Sequence, residues 1–173
     1  TGVNVANQLT SDPDVIGVNG HLNSGVSIPA AAVYNEGGIV QVSPASTNPE
    51  LTLQGFDNVF RTCTIDPVQG EFAATAAKVD LDLGTAFVVD DSTPYGEGLV
   101  DEFVKAYEAE GGEVLGREKT GDKDTDFTGL ATKIKDAAPA AVYYGGIYNA
   151  GALFAKQLVE AGYEGAFFSA DGV

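Results

Sequence analysis

The sequence predicts an α/β protein in which parallel strands are flanked by helices. Short β-branched or aromatic runs recur along the chain, and most are followed by a segment with apolar residues at helical spacing. The joins between them are short and rich in Gly, Pro, Asn and Asp. Alternation of strand and helix with such joins is typical of βαβ units and a parallel sheet. A length of 173 residues, 44% of them hydrophobic, suits one ordinary domain or two small lobes.

Composition excludes several classes of function. The net charge is −16, from 25 acidic and 9 basic residues, whereas nucleic-acid binding needs a basic surface. No apolar run approaches the ~20 residues that a membrane span requires. Cys63 is the only cysteine, so no disulfide can form within this sequence. The chain opens without Met and with a pattern typical of the middle of a helix, so we expect a fragment or a processed product.

The first part of the chain predicts a strand–helix–strand unit. Ser24 is expected to cap its helix, Gly37 and Gly38 to end it, and Asn48 to cap a helical turn. In order, we predict a helix at 3–9, a strand at 15–18, a helix at 24–35, a strand at 39–42, a helical turn that begins at Pro49, and an extended segment at 59–62.

The rest of the chain repeats strand and helix. We predict helices at 67–78, 96–110, 127–134 and 148–161, and strands at 85–89, 114–115, 140–144 and 166–168. The strand at 114–115 is the weakest, and residues 79–84 have no clear assignment. Six or seven strands with intervening helices predict two parallel α/β lobes that divide within residues 61–66.

Polar loops follow the carboxyl ends of the predicted strands, which is where open α/β sheets bind ligands. Right-handed crossovers would place these loops along one sheet edge. The hydroxyls of Ser24 and Thr47, beside a helix N-terminus, suit a carboxylate. Asp171 suits an ammonium group, and Tyr95 and Tyr148 suit the walls of an apolar pocket. These loops predict a site for a small zwitterion.

Each of these residues also has a purely structural interpretation. Ser24 is equally well explained as an N-cap, Asp171 as a turn residue and Tyr95 as a packing residue at a helix start. Catalysis is less favoured, because His21 is the only histidine and no base is evident near Cys63. Metal-ligand and nucleotide-binding spacings are absent from the sequence. We therefore predict no catalytic residue, no metal and no cofactor, and expect His21 to brace the loop of Ser24.

Seven motifs occur in an order that resembles one known family, the branched-chain amino-acid-binding proteins. The motifs are GHLNSG (20–25), SPASTNPELT (43–52), FRTCTIDPVQG (60–70), YGEGL (95–99), DFTGLATKIK (126–135), VYYGG (142–146) and DGV (171–173). Members of this family are periplasmic binding proteins of type I fold that serve ABC transporters. The resemblance implies two Rossmann-like lobes joined by a hinge. Residues 1–60 would form an incomplete first lobe and residues 61–173 most of the second.

The resemblance also implies a set of ligand contacts. Asp171 takes the place of a Glu that typical leucine binders use for the ammonium group, and Ile147 takes the place of a Tyr. Asn23 occupies a variable position beside the ligand side chain. The residues and the resemblance together give a ligand-binding set of Asn23, Ser24, Ala45, Ser46, Thr47, Tyr95, Ile147, Tyr148 and Asp171.

The implied function is non-enzymatic capture of a branched-chain or related amino acid, in a cleft between the lobes, for delivery to a membrane permease. The implied location is periplasmic or extracellular, with lipid anchoring left open, and neither nucleic acid nor membrane insertion of this segment is expected. The alternative is a ligand-sensing domain of a receptor or regulator with the same fold. A hydrolase or dehydrogenase is disfavoured, because the nucleophile elbow and the dinucleotide loop are both absent.

Overall fold

Two parallel sheets organise the chain, and each belongs to a separate unit. In the computed structural model, which describes residues 2–173, the first unit ends at Asp66 and the second begins at Pro67. The sequence predicted a division within residues 61–66, and the boundary between the units lies at the end of that segment, whereas the family resemblance places it after residue 60. Hydrogen bonds hold the intervening segment to the first unit, because Arg61 donates to the Asn48 carbonyl (2.8 Å) and the Asp66 N–H donates to the Thr47 carbonyl (3.0 Å).

The first unit is a three-stranded sheet with helices packed on it. Its elements are α1 (Gly2–Thr10), β1 (Gly17–Asn19), α2 (Ser24–Gly37), β2 (Val40–Ser43), α3 (Glu50–Leu53) and β3 (Val59–Arg61). The strands lie in the order β1-β2-β3 and all pairs are parallel. Tyr34 of α2 is fully buried beside Ile39 and Ala6, and Leu51 of α3 packs with Val59. Gly38 adopts a left-handed conformation (φ 70°) and ends α2, as glycine does after many helices.

The second unit is a four-stranded sheet covered on both faces. Its elements are α4 (Asp66–Thr75), a π-helical turn (Ala76–Asp80), β4 (Thr85–Asp90), α5 (Pro94–Ala109), β5 (Glu113–Lys119), α6 (Thr128–Ala137), β6 (Ala141–Gly145), α7 (Tyr148–Glu160) and β7 (Ala166–Phe168). The strands lie in the order β5-β4-β6-β7, and all pairs are parallel.

Alternate residues of β4 pack into two separate hydrophobic cores. Ala86 and Val88 belong to the core that includes α5, whereas Phe87 and Val89 belong to the core that includes α6 and α7. A strand that is covered on both faces has a continuous apolar sequence, and the sequence predicts β4 for this reason. The ring of Tyr143 in β6 stacks on Phe103 of α5 at a centroid distance of 3.9 Å.

Two parts of the second unit differ from the sequence prediction. The weak strand at 114–115 is in fact the seven-residue β5, whose side chains alternate between exposed and half-buried. It is an edge strand, so its sequence is polar and lacks the apolar run of an inner strand. Residues 79–84, which had no assignment, begin within the π-helical turn that extends α4. Within residues 2–173, no helix is both long enough and apolar enough to cross a bilayer.

Candidate functional site

The turn at Asp171 and Gly172 follows β7 in the second unit, and a buried tyrosine holds it. The Tyr95 hydroxyl donates to Oδ1 of Asp171 (2.8 Å) and accepts the N–H of Gly172 (3.0 Å). Tyr95 is 8% exposed, whereas Asp171 is exposed. Burial, followed by the nearby Asp171 carboxylate, raises the pKa of the Tyr95 phenol, so this hydroxyl stays protonated and remains a donor.

Gly172 permits the close approach that this arrangement needs. A Cβ on Gly172 would lie 2.6 Å from the carbonyl oxygen of Gly146 and 2.8 Å from the Tyr95 hydroxyl. The Gly172 carbonyl also accepts the N–H of Tyr148, at 2.7 Å. The turn is therefore tied to α5 through Tyr95 and to α7 through Tyr148, and it presents the carboxylate of Asp171 to solvent in a defined orientation.

The start of α7 places an aromatic ring near this turn. Tyr148 is the first residue of α7 and is 66% exposed. Ile147 precedes it at the N-cap position and packs, half-buried, against the core that contains Tyr95. The structure thus brings Tyr95, Ile147, Tyr148 and Asp171 together in the second unit, as the sequence predicted for one sheet edge.

In the first unit, Ser24 has a different local role from the one predicted. Asn23, not Ser24, occupies the N-cap position of α2, and its side chain makes no capping hydrogen bond. Ser24 is the first helical residue, 1% exposed, and its Oγ accepts the N–H of Asn48 at 3.2 Å. The prediction of a Ser24 cap is wrong, because the chain turns into the helix one residue earlier. A hydroxyl that accepts one hydrogen bond still has a proton to donate.

Thr47 lies in the loop that follows β2, next to the residue that Ser24 contacts. It is 1% exposed, and its Oγ1 has no hydrogen-bond partner among residues 2–173. A buried hydroxyl without a partner costs about 1–3 kcal/mol of stability. A ligand oxygen at this position would remove that cost.

Ser46 points into the protein and has several partners there. Its Oγ lies 2.6 Å from the Ser27 hydroxyl and donates to the His21 carbonyl at 3.0 Å. Ser43 donates to the same carbonyl at 2.7 Å and accepts the N–H of Ser46. These contacts favour a supporting role for Ser46 over a ligand contact, because they join the loop after β1 to the loop after β2. Its half-buried neighbour Ala45 has no side-chain polar group and could contact a ligand only through its backbone or methyl group.

His21 braces this region as expected. Its Nε2 lies 3.0 Å from the Tyr34 hydroxyl, and burial lowers the pKa of the imidazole. The neutral ring and the carbonyl of His21 are therefore both used in hydrogen bonds within the first unit. Three serines donate to this carbonyl, and two of them, Ser27 and Ser43, were not predicted from the sequence as part of the site. Ser27 lies one helical turn after Ser24, a spacing that would have placed it on the same side of α2.

The fold and these loops define a class of protein, in which parallel α/β units carry polar side chains in the loops at the carboxyl ends of their strands. The model of the periplasmic binding protein family matches residues 1–172, and the chain belongs to that family. This confirms the family resemblance and the fold class that were predicted from the sequence.

Named relatives are binding proteins. A Leu/Ile/Val-binding protein homologue of Brucella melitensis is 40% identical over 172 residues, which cover 99% of this chain and 46% of the relative. An amino acid binding protein of Pseudomonas aeruginosa is 35% identical over 171 residues, with the same coverage of 99% and 46%. The chain thus spans about half the length of the curated relatives that it matches.

Solved structures that superpose on this chain are also structures of binding proteins. A leucine binding protein of Thermotoga maritima superposes with a TM-score of 0.94 at 31% identity, covering 99% of this chain and 49% of that one. A branched-chain amino acid transporter substrate binding protein of Streptococcus pneumoniae, solved in complex with isoleucine, gives a TM-score of 0.91 at 26% identity, with coverage of 99% and 48%.

Proposed function

We propose that this chain is part of an extracytoplasmic solute-binding protein that captures an α-amino acid with an aliphatic or related side chain. In this proposal residues 1–60 contribute a partial first lobe, residues 61–173 contribute the second, and the ligand lies in a cleft between the lobes. The protein would act in the periplasm or outside the cell, either free or lipid-anchored. It would deliver its ligand to the permease of an ABC transporter.

The observation that carries the proposal is the Asp171 carboxylate. It is solvent-exposed, yet its Oδ1 is held by the buried Tyr95 hydroxyl. An oriented, accessible carboxylate is suited to form charge-assisted hydrogen bonds with an ammonium group. We assign the ammonium of the ligand to Asp171 for this reason.

The first unit offers groups for the ligand carboxylate. Ser24 keeps a hydroxyl proton after accepting from Asn48, and the Thr47 hydroxyl has no partner in residues 2–173. Both lie at carboxyl ends of parallel strands, and Ser24 is at the N-terminus of α2, where N–H groups and the helix dipole favour an anion. We assign the α-carboxylate to these groups and to the backbone of Ala45.

The side chain of the ligand would contact the starts of two helices, α2 and α7. Tyr148 offers an exposed aromatic surface, Ile147 an apolar one, and Asn23 an exposed amide. The relatives support a branched-chain ligand, since they include a Leu/Ile/Val-binding protein homologue and structures in complex with isoleucine or leucine. This support comes from the relatives and concerns the ligand class.

Calorimetric titration of the complete gene product with the twenty common amino acids tests the proposal. We expect saturable binding of leucine, isoleucine or valine, and at least a tenfold loss of affinity in Asp171→Asn. Lys133→Gln is the control, because Lys133 pairs with Glu118 on the surface of the second unit. Absence of binding to any amino acid, or equal affinity of Asp171→Asn and wild type, would refute the site assignment.

A further inference from the structure

A third element, the first turn of α4, also holds the turn that carries Asp171. The backbone N–H of Asp171 donates to Oε1 of Gln69 at 3.2 Å. Tyr95 holds the carboxylate of the same residue at 2.8 Å. Two side chains from two helices therefore fix Asp171, one through its backbone and the other through its acidic group.

The packing of α4 does not by itself explain why a residue with a side-chain amide, Gln69, occupies this position. Its Nε2 is buried and has no hydrogen-bond partner in the described part of the chain, residues 2–173. An unpaired buried N–H group destabilises the fold, so an apolar side chain at this position would pack at lower cost. The hydrogen bond that Gln69 makes to Asp171 gives its amide a role that packing lacks.

The neighbouring glycine sets the position of Gln69. A Cβ on Gly70 would lie 2.7 Å from the backbone nitrogen of Phe103 and 2.8 Å from the carbonyl carbon of Glu102. The start of α4 is therefore in direct backbone contact with α5, the helix whose first turn carries Tyr95. Because the two helices touch through backbone atoms, Gln69 and Tyr95 have a well-defined mutual position from which to hold the turn.

We propose that Gln69 is a positioning residue that sets the affinity for the ligand ammonium by fixing the backbone of Asp171. This inference rests on the proposed function, in which Asp171 binds that ammonium. Gln69 itself has no contact with the ligand in this scheme. Its loss lets the turn move, so the carboxylate spends less time in the binding orientation.

The test compares Gln69→Leu with a matched control in the complete gene product. Gln157→Leu is the control, because Gln157 also ties a loop to a helix, through Phe127 N–H (2.6 Å) and the Thr125 carbonyl (2.9 Å), and neither hydrogen bond involves the Asp171 turn. L-leucine is the first probe, followed by the amino acid that binds most tightly in the titration above. We expect Gln69→Leu to weaken binding about tenfold and Gln157→Leu to leave affinity within twofold of wild type.

Two readouts separate positioning from a general loss of structure. Amide hydrogen exchange of Asp171 in the ligand-free protein should accelerate in Gln69→Leu, while the unfolding midpoint stays close to that of wild type. In an Asp171→Ala background, Gln69→Leu should change affinity less than twofold, because no carboxylate is left to position. If Gln69→Leu does not fold, Gln69→Asn, whose shorter side chain cannot reach the turn, replaces it.

The outcomes distinguish this inference from the proposed function. If Asp171→Ala weakens binding but Gln69→Leu costs about tenfold in both backgrounds, Asp171 is the ammonium ligand and Gln69 acts elsewhere, so the inference fails alone. Unchanged affinity in Asp171→Ala overturns the ammonium assignment and with it the inference. Unchanged exchange of the Asp171 amide in Gln69→Leu shows that the hydrogen bond does not hold the turn, and this result overturns the inference without involving the ligand.

Discussion

The Tyr95 hydroxyl donates a 2.8 Å hydrogen bond to Oδ1 of Asp171, although the two residues are far apart in the sequence. The donor is buried and the acceptor is exposed. A buried, well-packed donor fixes an acidic side chain with little loss of rotamer entropy when a ligand binds. The pair therefore connects the packing of α5 to the chemistry of the proposed ammonium site.

Removal of this hydroxyl should weaken amino-acid binding. In Tyr95→Phe the ring is kept, but Asp171 loses its donor and the Gly172 N–H loses its acceptor. We expect a loss of about 1.5–3 kcal/mol in binding free energy, the usual range for a hydrogen bond to a charged group. Calorimetry on the complete gene product measures it. Tyr163→Phe is the control, because the Tyr163 hydroxyl donates to the carbonyls of Pro139 and Ala166, and its loss should change stability and not ligand affinity.

The two hydroxyls of the first unit should respond oppositely in stability. Thr47→Val removes a buried hydroxyl that has no partner in residues 2–173, so we expect the unliganded protein to gain about 1 kcal/mol. Ser24→Ala leaves the Asn48 N–H without its acceptor and should lose about 1 kcal/mol. Both should weaken ligand binding by about 1–3 kcal/mol.

Urea unfolding and titration with leucine, performed on the same preparations, check this pair. Wild-type affinity after both substitutions would remove Ser24 and Thr47 from the site. A loss of stability in Thr47→Val would show that its hydroxyl has a partner in solution, such as a bound water.

Asp91 should make the protein less stable as pH rises. It is 1% exposed, its Oδ1 accepts from Thr93 N–H (3.0 Å) and Thr93 Oγ1 (2.6 Å), and its Oδ2 has no partner among residues 2–173. Burial raises the pKa of this carboxyl above its ordinary value of 3.8. The folded state therefore keeps the proton to a higher pH than the unfolded state, and stability falls as pH rises from about 4 through the folded pKa.

Asp91→Asn keeps an oxygen acceptor for Thr93 and removes the buried charge. We expect the variant to gain stability relative to wild type as pH increases from 4 to 7, because the wild-type carboxyl must then ionise in a buried site. Asp126→Asn provides a control of opposite sign, because the Thr128 N–H lowers the pKa of the exposed Asp126 carboxyl. Chemical unfolding at several pH values measures both, and parallel curves for wild type and Asp91→Asn would contradict the prediction.

Two helical glycines should give opposite results when replaced by alanine. In Gly70→Ala the new methyl group would press on the backbone of α5 (2.7 Å from Phe103 N), so we expect a loss of about 1–3 kcal/mol. In Gly129→Ala, within α6, no atom lies near the added carbon, so higher helix propensity should add about 0.5–1 kcal/mol. Thermal unfolding of the two variants side by side is sufficient, and equal effects would refute the assigned packing of α4 on α5.

Much of the fold follows from local pattern. The buried strands β4 and β6 are continuous apolar runs, and α5 and α7 have apolar residues at helical spacing, so their presence could be predicted from the sequence. The predicted length of the edge strand β5 is too short, because one side of the strand faces solvent and Gly116 interrupts its apolar pattern. That glycine is explained only in three dimensions, where a Cβ would lie 2.5 Å from the ring of Phe87.

The candidate site likewise has some features that the sequence predicts and others that only the tertiary structure shows. The sequence by itself determined that hydroxyls, an acid and aromatic rings follow the carboxyl ends of parallel strands, since strand direction and short joins require it. Ser46 and Thr47 are adjacent and chemically alike, yet only the tertiary structure shows that Ser46 is bonded to Ser27 and His21 while Thr47 has a hydroxyl without a partner in residues 2–173. The partners of a side chain come from distant parts of the chain, so its role depends on packing that no local pattern encodes. The same holds for the turn residue Asp171, whose orientation is set by Tyr95 of α5 and Gln69 of α4.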